Sequence, residues 1–341
     1  MKIGIASNLW GTPKGHSYVV RDMVKLLMGA GHEVHMFRIG ENRILQDFPE
    51  PTTLKSINGN IIPEKDFREW TDEVKPDWCI FMEYSQWWEE DHDKIAICKE
   101  LGIKTAGFLV WEKLDWNKTA QYKQYTKLIC PTAFQTKLCR RHGLYNAVHT
   151  PWGVDLAEID AVEQPIRPDD EKEIVFYHCA GSGGVGDRKN TAAVIKAYQL
   201  IADERTDLKI THLGSKIFGR NEILSFIKYA NVLINASKWD TIGLNTLEAN
   251  ACGIPVIVAN TNPMNEIVVD RVNGLVVEGE ETTCEHVTCP SYEVSIEDLS
   301  KKMAFFKDKL ISKTLKGNAR KFAETNFDWE KNKKHFLKLF E

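Results

Sequence analysis

At 341 residues, 43% hydrophobic and 27% charged, the chain is longer than one compact domain usually grows and has ordinary globular chemistry, which excludes a disordered chain, a coiled coil and a disulfide-stapled miniature. Forty-four basic against forty-eight acidic side chains give a formal charge of -4, so no global field recruits nucleic acid or an anionic membrane. No stretch approaches the roughly 18 consecutive apolar residues of a membrane span, and the opening residues carry no secretory pattern, so a cytoplasmic location is expected.

In chain order, short apolar runs predict strands over Lys2–Ser7, Glu33–Ile39, Trp78–Met82, Lys104–Leu109, Lys127–Cys130 and Ala147–Thr150. Amphipathic stretches fill the gaps, with a helix over His16–Ala30 ended by Gly29 and Gly31. Such alternation is what a parallel sheet covered by crossover helices requires, so residues 1–155 read as a Rossmann-like domain. Pro151-Trp152-Gly153 then breaks regular structure, and the charged, proline-bearing Glu158–Glu173 reads as a linker. A second alternation follows, with strands over Glu173–Cys179, Leu208–Leu213, Asn231–Asn235 and Pro255–Ala259 and a helix from Thr191. The tail from Ser295 is helical by pattern, and Phe327-Asp328-Trp329 opens a last helix whose polar face is rich in lysine. The fold class expected is therefore α/β, with two doubly wound domains whose ligand crevices, at the carboxyl ends of their strands, face each other across a cleft.

Three loops carry the candidate chemistry. After the first strand, Gly11 and Gly15 in Gly11-Thr12-Pro13-Lys14-Gly15 let backbone approach an anion at a helix start, although neither the dinucleotide fingerprint nor the Walker loop matches and a plain structural turn fits as well. In the second half, Gly181-Ser182-Gly183-Gly184-Val185-Gly186-Asp187-Arg188-Lys189 joins a strand to a helix and ends in two cations suited to a diphosphate; the alternative is a solvated loop. Most informative is Asp240-Thr241-Ile242-Gly243-Leu244-Asn245-Thr246-Leu247-Glu248, where one acid precedes a helix, a second lies within it, and amides near Gly243 and Leu244 are expected to be free. Cys79, Cys130 and Cys179 sit in or beside apolar strands as reduced thiols would, and Cys284-Glu285-His286-Val287-Thr288-Cys289 matches no common zinc spacing.

The 240–248 stretch, with Ala251-Cys252-Gly253-Ile254-Pro255-Val256-Ile257 after it, resembles the glutamate-x7-glutamate signature of retaining glycosyltransferases of GT-B fold, above all family 4. Thr150-Pro151-Trp152-Gly153-Val154-Asp155 is similar to the turn that opens the family's interdomain linker, and Glu266-Ile267-Val268 to its short motif after the Asn260 to Asn262 turn, so the likeness spans nearly the whole chain. The resemblance implies an acceptor-side domain over 1–155, a donor-side domain over 156–317, and a C-terminal helix over 318–341 packing back on the first domain. It implies that Asp240 contacts the donor sugar, Glu248 the ribose hydroxyls, Arg188 and Lys189 the donor diphosphate, and that Gly11, Gly15, Gly183, Gly184, Thr241, Ile242, Gly243 and Leu244 line the donor site. Aspartate at 240 departs from the usual glutamate and shortens its reach by one methylene.

Many relatives carry a histidine near the reacting carbon where this chain reads Trp111-Glu112-Lys113-Leu114-Asp115. Trp111 could stack on a sugar and Glu112 or Asp115 accept a hydroxyl hydrogen bond; a buried tryptophan beside solvated acids is the other reading. The implied activity is transfer of a hexosyl or pentosyl group from a nucleotide sugar, UDP favoured and GDP possible, with retention and with neither metal nor other cofactor. The acceptor stays open among glycan, lipid-linked glycan, small metabolite, protein and modified DNA base, and a non-catalytic nucleotide-sugar-binding scaffold of the same fold is the rival.

Overall fold

A computed structural model describes the chain except residues 8–9, 13–14, 41–46, 60, 83–91, 167–172, 182–184, 213–217 and 285–288. The described residues divide into two compact units, one of Met1–Thr150 with Lys333–Glu341 and one of Pro151–Asn332.

The first unit is built on a seven-stranded sheet of β1 (Lys2–Ser7), β2 (Glu33–Ile39), β3 (Thr53–Ile57), β4 (Trp78–Met82), β5 (Lys104–Phe108), β6 (Lys127–Cys130) and β7 (Ala147–His149). Its order is β3-β2-β1-β4-β5-β6-β7 and every pairing is parallel. Strands buried on both faces become continuous apolar runs, which is why β1, β2, β4 and β6 fall where their sequences predict them. β3 escaped prediction because it is a half-exposed edge strand, Thr53-Leu54-Lys55-Ser56-Ile57, without such a run. The helix after β1 covers Gly15–Gly29, and Gly31 turns the chain out of it in the left-handed region. The last residues close this core: Phe336, Leu339 and Phe340 are buried, Phe340 meets Trp78 edge-on at 5.4 Å, and Lys127 Nζ donates to the Leu339 carbonyl.

The second unit holds β8 (Ile174–Gly181), β9 (Thr206–His212), β10 (Val232–Asn235), β11 (Val256–Ala259) and β12 (Gly274–Val277) in the order β12-β11-β10-β8-β9, again all parallel. An antiparallel hairpin of β13 (Gly279–Thr282) and β14 (Ser291–Val294) follows; β13 is acidic and β14 is short and of mixed polarity, so neither gave an apolar run. The core gathers Phe176, Val194, Val232, Ile234, Ile257, Leu275 and Leu299 between sheet and helices.

Boundaries differ from those read in the sequence. Residues 151–155 group with the second unit because Val154 exchanges backbone hydrogen bonds with Phe327 and Trp329, while Trp152 packs on Trp329 at 4.6 Å. Residue 318 lies inside the helix Lys309–Asn326, whose Arg320 bonds the Ala251 carbonyl, so only residues from 333 onward group with the first unit. The stretch expected to be a linker begins with a helix, Leu156–Ala161, capped by Asp155. Cys79 and Cys130 are buried in their strands, and no disulfide joins any of the eight cysteines. The centre of the Cys284–Cys289 run, residues 285–288, lies outside the described residues. Among the described residues no helix is long and apolar enough to cross a membrane.

Candidate functional site

In the second unit the strand order reverses between β8 and β10, and in an open parallel sheet the crevice beyond the carboxyl ends at such a reversal is the natural ligand site. Two loops leave from it, one after β8 and one after β10, and they carry the residues singled out in the sequence.

The first loop needs an unusual backbone. Gly181, Gly186, Asp187 and Asn190 all have left-handed φ, which costs glycine nothing and asks the other two for compensation. Asp187 supplies it: its carboxylate accepts from the Thr191 and Ala192 amides at 3.0 and 3.2 Å, and its carbonyl accepts from the Asn190 amide at 2.7 Å. The start of the helix Thr191–Gln199 is thereby satisfied by the protein itself. Gly183 and Gly184 lie outside the described residues.

This turn brings Arg188 and Lys189 to the loop after β10. Lys189 Nζ donates to Asp240 Oδ2 at 2.8 Å and to Ser237 Oγ at 3.2 Å, while Arg188 Nη1 lies 3.6 Å from the same Asp240 oxygen and donates to the Trp239 carbonyl at 3.3 Å. The Lys238 amide donates to the Arg188 carbonyl at 2.9 Å, tying the two loops by backbone as well as charge. Asp240 Oδ1 accepts from the amides of Thr241 and Gly243 at 2.9 and 3.2 Å. Burial alone would raise the Asp240 pKa, but the charges of Lys189 and Arg188, the lysine hydrogen bond and the Gly243 amide outweigh it and hold the carboxyl well below the usual range. Asp240 is thus ionised at every physiological pH; it accepts hydrogen bonds and has no proton to give.

The Gly243 amide, expected to be free, is therefore occupied by Asp240, because the Asx-type turn closes on itself before the helix Leu244–Ala251 begins. Gly243 itself is required: its φ is 65°, and a Cβ there would stand 2.6 Å from Met264 Cε. Thr241 and the buried Ile242 complete the turn, and Leu244 is the first helical residue. Beneath it runs a polar chain that sequence reading missed: the Ser237 hydroxyl donates to Asn235 Oδ1, and Asn235 Nδ2 donates to Thr246 Oγ1 at 3.0 Å. Its only signal was Asn-Ala-Ser at the end of an apolar strand.

Glu248 is buried on this helix, and Arg220 Nη2 stands 3.3 Å from its Oε1. Arg220, the first residue of the helix Arg220–Tyr229, also places Nε 3.7 Å from Glu158 Oε1; neither Arg220 nor Glu158 was anticipated. Negative potential around Glu248 registers on its neighbours: the Cys252 thiol is pushed up to about 12 by burial and then by Glu248, and the Tyr177 hydroxyl rises through burial with smaller contributions that include Glu248.

The first-unit candidates are arranged otherwise. Gly11 is left-handed and buried, Gly15 opens its helix with nothing near a prospective Cβ, and the Thr12 amide donates to Ser17 Oγ at 3.1 Å. Trp111 is buried in the short turn Trp111–Lys113 and meets Phe134 edge-on at 5.0 Å; Glu112 is buried beside it. Asp115 caps the next turn, its carboxylate accepting from the Asn117 amide at 2.9 Å. Glu266 lies on the short helix Met264–Ile267.

Two parallel, doubly wound units, with charged side chains converging at a strand reversal of the second, define a Rossmann-like class of fold, and comparison with known proteins narrows it. Residues 210–283 match the family described as glycosyl transferases group 1. The chain is 28% identical to an uncharacterized glycosyltransferase of Methanocaldococcus jannaschii over 43% of its own length, and 24% identical to a GDP-mannose-dependent alpha-(1-6)-phosphatidylinositol dimannoside mannosyltransferase of Mycobacterium tuberculosis over 45%. It spans less than half the length of these curated relatives, 38% and 46%. Sucrose-phosphate synthase from Thermosynechococcus elongatus superposes with a TM-score of 0.74 at 17% identity, covering 100% of this chain and 98% of that one. Anabaena HepE in complex with UDP-glucose gives 0.71 at 13%, covering 99% of each chain. The fold is that of the GT-B glycosyltransferases, and the resemblance carried by the 240–248 stretch is to the same group.

Proposed function

We propose that this chain is a glycosyltransferase that moves a hexosyl or pentosyl group from a nucleoside-diphosphate sugar, retaining anomeric configuration, and that its second unit holds the donor. The observation that carries the reading is the convergence of Lys189, Arg188 and Asp240 at the β8–β10 reversal, with Glu248 on the helix that begins there. As the bond from sugar to diphosphate breaks, the diphosphate gains negative charge and the reacting carbon gains oxocarbenium character. Lys189 and Arg188 meet the first charge, so the reading needs no metal. Asp240, permanently ionised, keeps both cations in the site and accepts from sugar hydroxyls; since a carboxyl held so far below its usual range is too weak a base to take the acceptor's proton, that proton leaves with the departing phosphate. Glu248 accepts from the ribose hydroxyls. UDP is favoured as the base carrier, supported by a structural neighbour bound to UDP-glucose, with GDP second, supported by a GDP-mannose-dependent relative. Eight cysteines without a disulfide support a reducing compartment such as the cytoplasm.

A panel of UDP- and GDP-sugars, screened for thermal stabilisation and then for product by NMR, tests this directly, because a ligand that binds only the folded state raises its apparent stability. The matching donor should be consumed with its anomeric configuration kept. Glu248→Ala should lose most nucleotide affinity, whereas Asp240→Ala should keep much of it and lose turnover. Full activity in both variants would remove the assignment.

A further inference from the structure

On the reading of the second unit as the donor-binding half, Glu248 has to accept from ribose hydroxyls, which requires an acid that is both ionised and immobile. We propose that Arg220 is the positioning residue that holds Glu248 in this state, with Glu158 sharing the same guanidinium, so that ribose recognition depends on a residue outside the donor loops. Three helices supply the group: Leu156–Ala161 brings Glu158, Arg220–Tyr229 brings Arg220, and Leu244–Ala251 brings Glu248. The Arg220 and Glu248 side chains are only 2% and 5% exposed.

A carboxylate so deeply buried gives up its charge unless a cation accompanies it, and a guanidinium is the one side-chain cation that burial does not neutralise. The contact, 3.3 Å from Nη2 to Oε1, is longer than a tight charge-assisted hydrogen bond, so it orients the acid without clamping it bidentately. A second arginine fixes the same helix by a different means: Arg320 pairs with Asp160 Oδ1 and Oδ2 at 2.6 and 2.9 Å and donates to the Ala251 carbonyl at 2.7 Å. Arg320 therefore anchors the helix end, whereas Arg220 reaches the functional carboxylate itself. The two roles can be told apart.

The test is ribose discrimination, measured by titration calorimetry on the full chain with uridine and guanosine diphosphates and their 2′,3′-dideoxy forms. The unsubstituted chain should bind the preferred ribose form about tenfold or more tightly than its dideoxy form, the cost of leaving a buried acceptor unpaired. Arg220→Met should bind the ribose form at least about tenfold more weakly and the two forms within about twofold of each other, with Arg220→Lys between it and the parent. Arg320→Gln should lower the melting temperature while keeping the parent's ratio. If Arg220→Met does not fold, Arg220→Gln takes its place with the same expected ratio. A folded Arg220→Met or Arg220→Gln that discriminates as the parent does overturns the role of Arg220 and leaves the donor site standing. A parent chain that binds neither diphosphate, or ribose and dideoxy forms alike, overturns the donor-site reading and this proposal with it.

Discussion

The loops after β8 and β10 and the segment after β5 were both flagged by their residue types, yet the structure uses them in opposite ways. In the second unit, charged and polar side chains far apart in the chain converge: Lys189 on Asp240, Arg220 on Glu248, and Lys189 on the Ser237 hydroxyl. After β5 the flagged residues serve their own neighbourhood, Trp111 against Phe134 and Asp115 capping the turn that follows it. A buried charge is costly wherever it stands, so one kept beside a remote partner marks a site where charge is needed, while an acid capping its own turn marks local structure.

The largest expected break in this comparison comes from Lys189→Met. It leaves the half-buried Asp240 without its 2.8 Å partner and removes a cation from the departing diphosphate, so kcat/KM should fall by about 10²–10³, read in a donor-turnover assay. Next is Gly243→Ala, which forces an alanine into a left-handed backbone against Met264; chemical denaturation should show a loss of about 1–3 kcal/mol.

Asp240→Asn sharpens the electrostatic side. Because the folded-state pKa of Asp240 is depressed, its contribution to stability is fully present above the unfolded carboxyl pKa of about 3.9 and is lost as pH falls through the lower folded value. The stability gap between parent and variant should therefore stay constant from neutral pH down to about pH 5 and begin to close only below about pH 4, as measured by denaturant titration at each pH. A gap that closed near neutrality would mean that the cations do not hold this carboxylate. The smallest effect belongs to Asp115→Ala, which should cost about 1 kcal/mol or less through its lost cap and leave nucleotide affinity within about twofold. A large loss of donor binding there would erase the contrast between the two regions.

Much of the architecture was legible because buried parallel strands are written as unbroken apolar runs, as in Val232-Leu233-Ile234 and Val256-Ile257-Val258. The edge strand Thr53–Ile57 and the hairpin Gly279–Thr282 and Ser291–Val294 were not: the first and second are largely exposed, and the third, though buried, is four residues of mixed polarity with no apolar run. Of the candidate site, Arg188, Lys189, Asp240 and Glu248 could be picked out by spacing around glycine turns. Arg220 could not, because nothing in Phe218-Gly219-Arg220 signals that its partner lies on another helix.

What the amino-acid order determined alone was the alternation of strands and helices, the turns, and which acids and bases sit at strand ends, because these follow from local periodicity and backbone preference. Only the tertiary structure decided that Asp240 spends the Gly243 amide and both neighbouring cations on itself, and that Glu248 answers to Arg220 and through it to Glu158. The reason is physical: a charge finds its partner through space, and the distance that sets the energy is fixed by the packing of helices and strands.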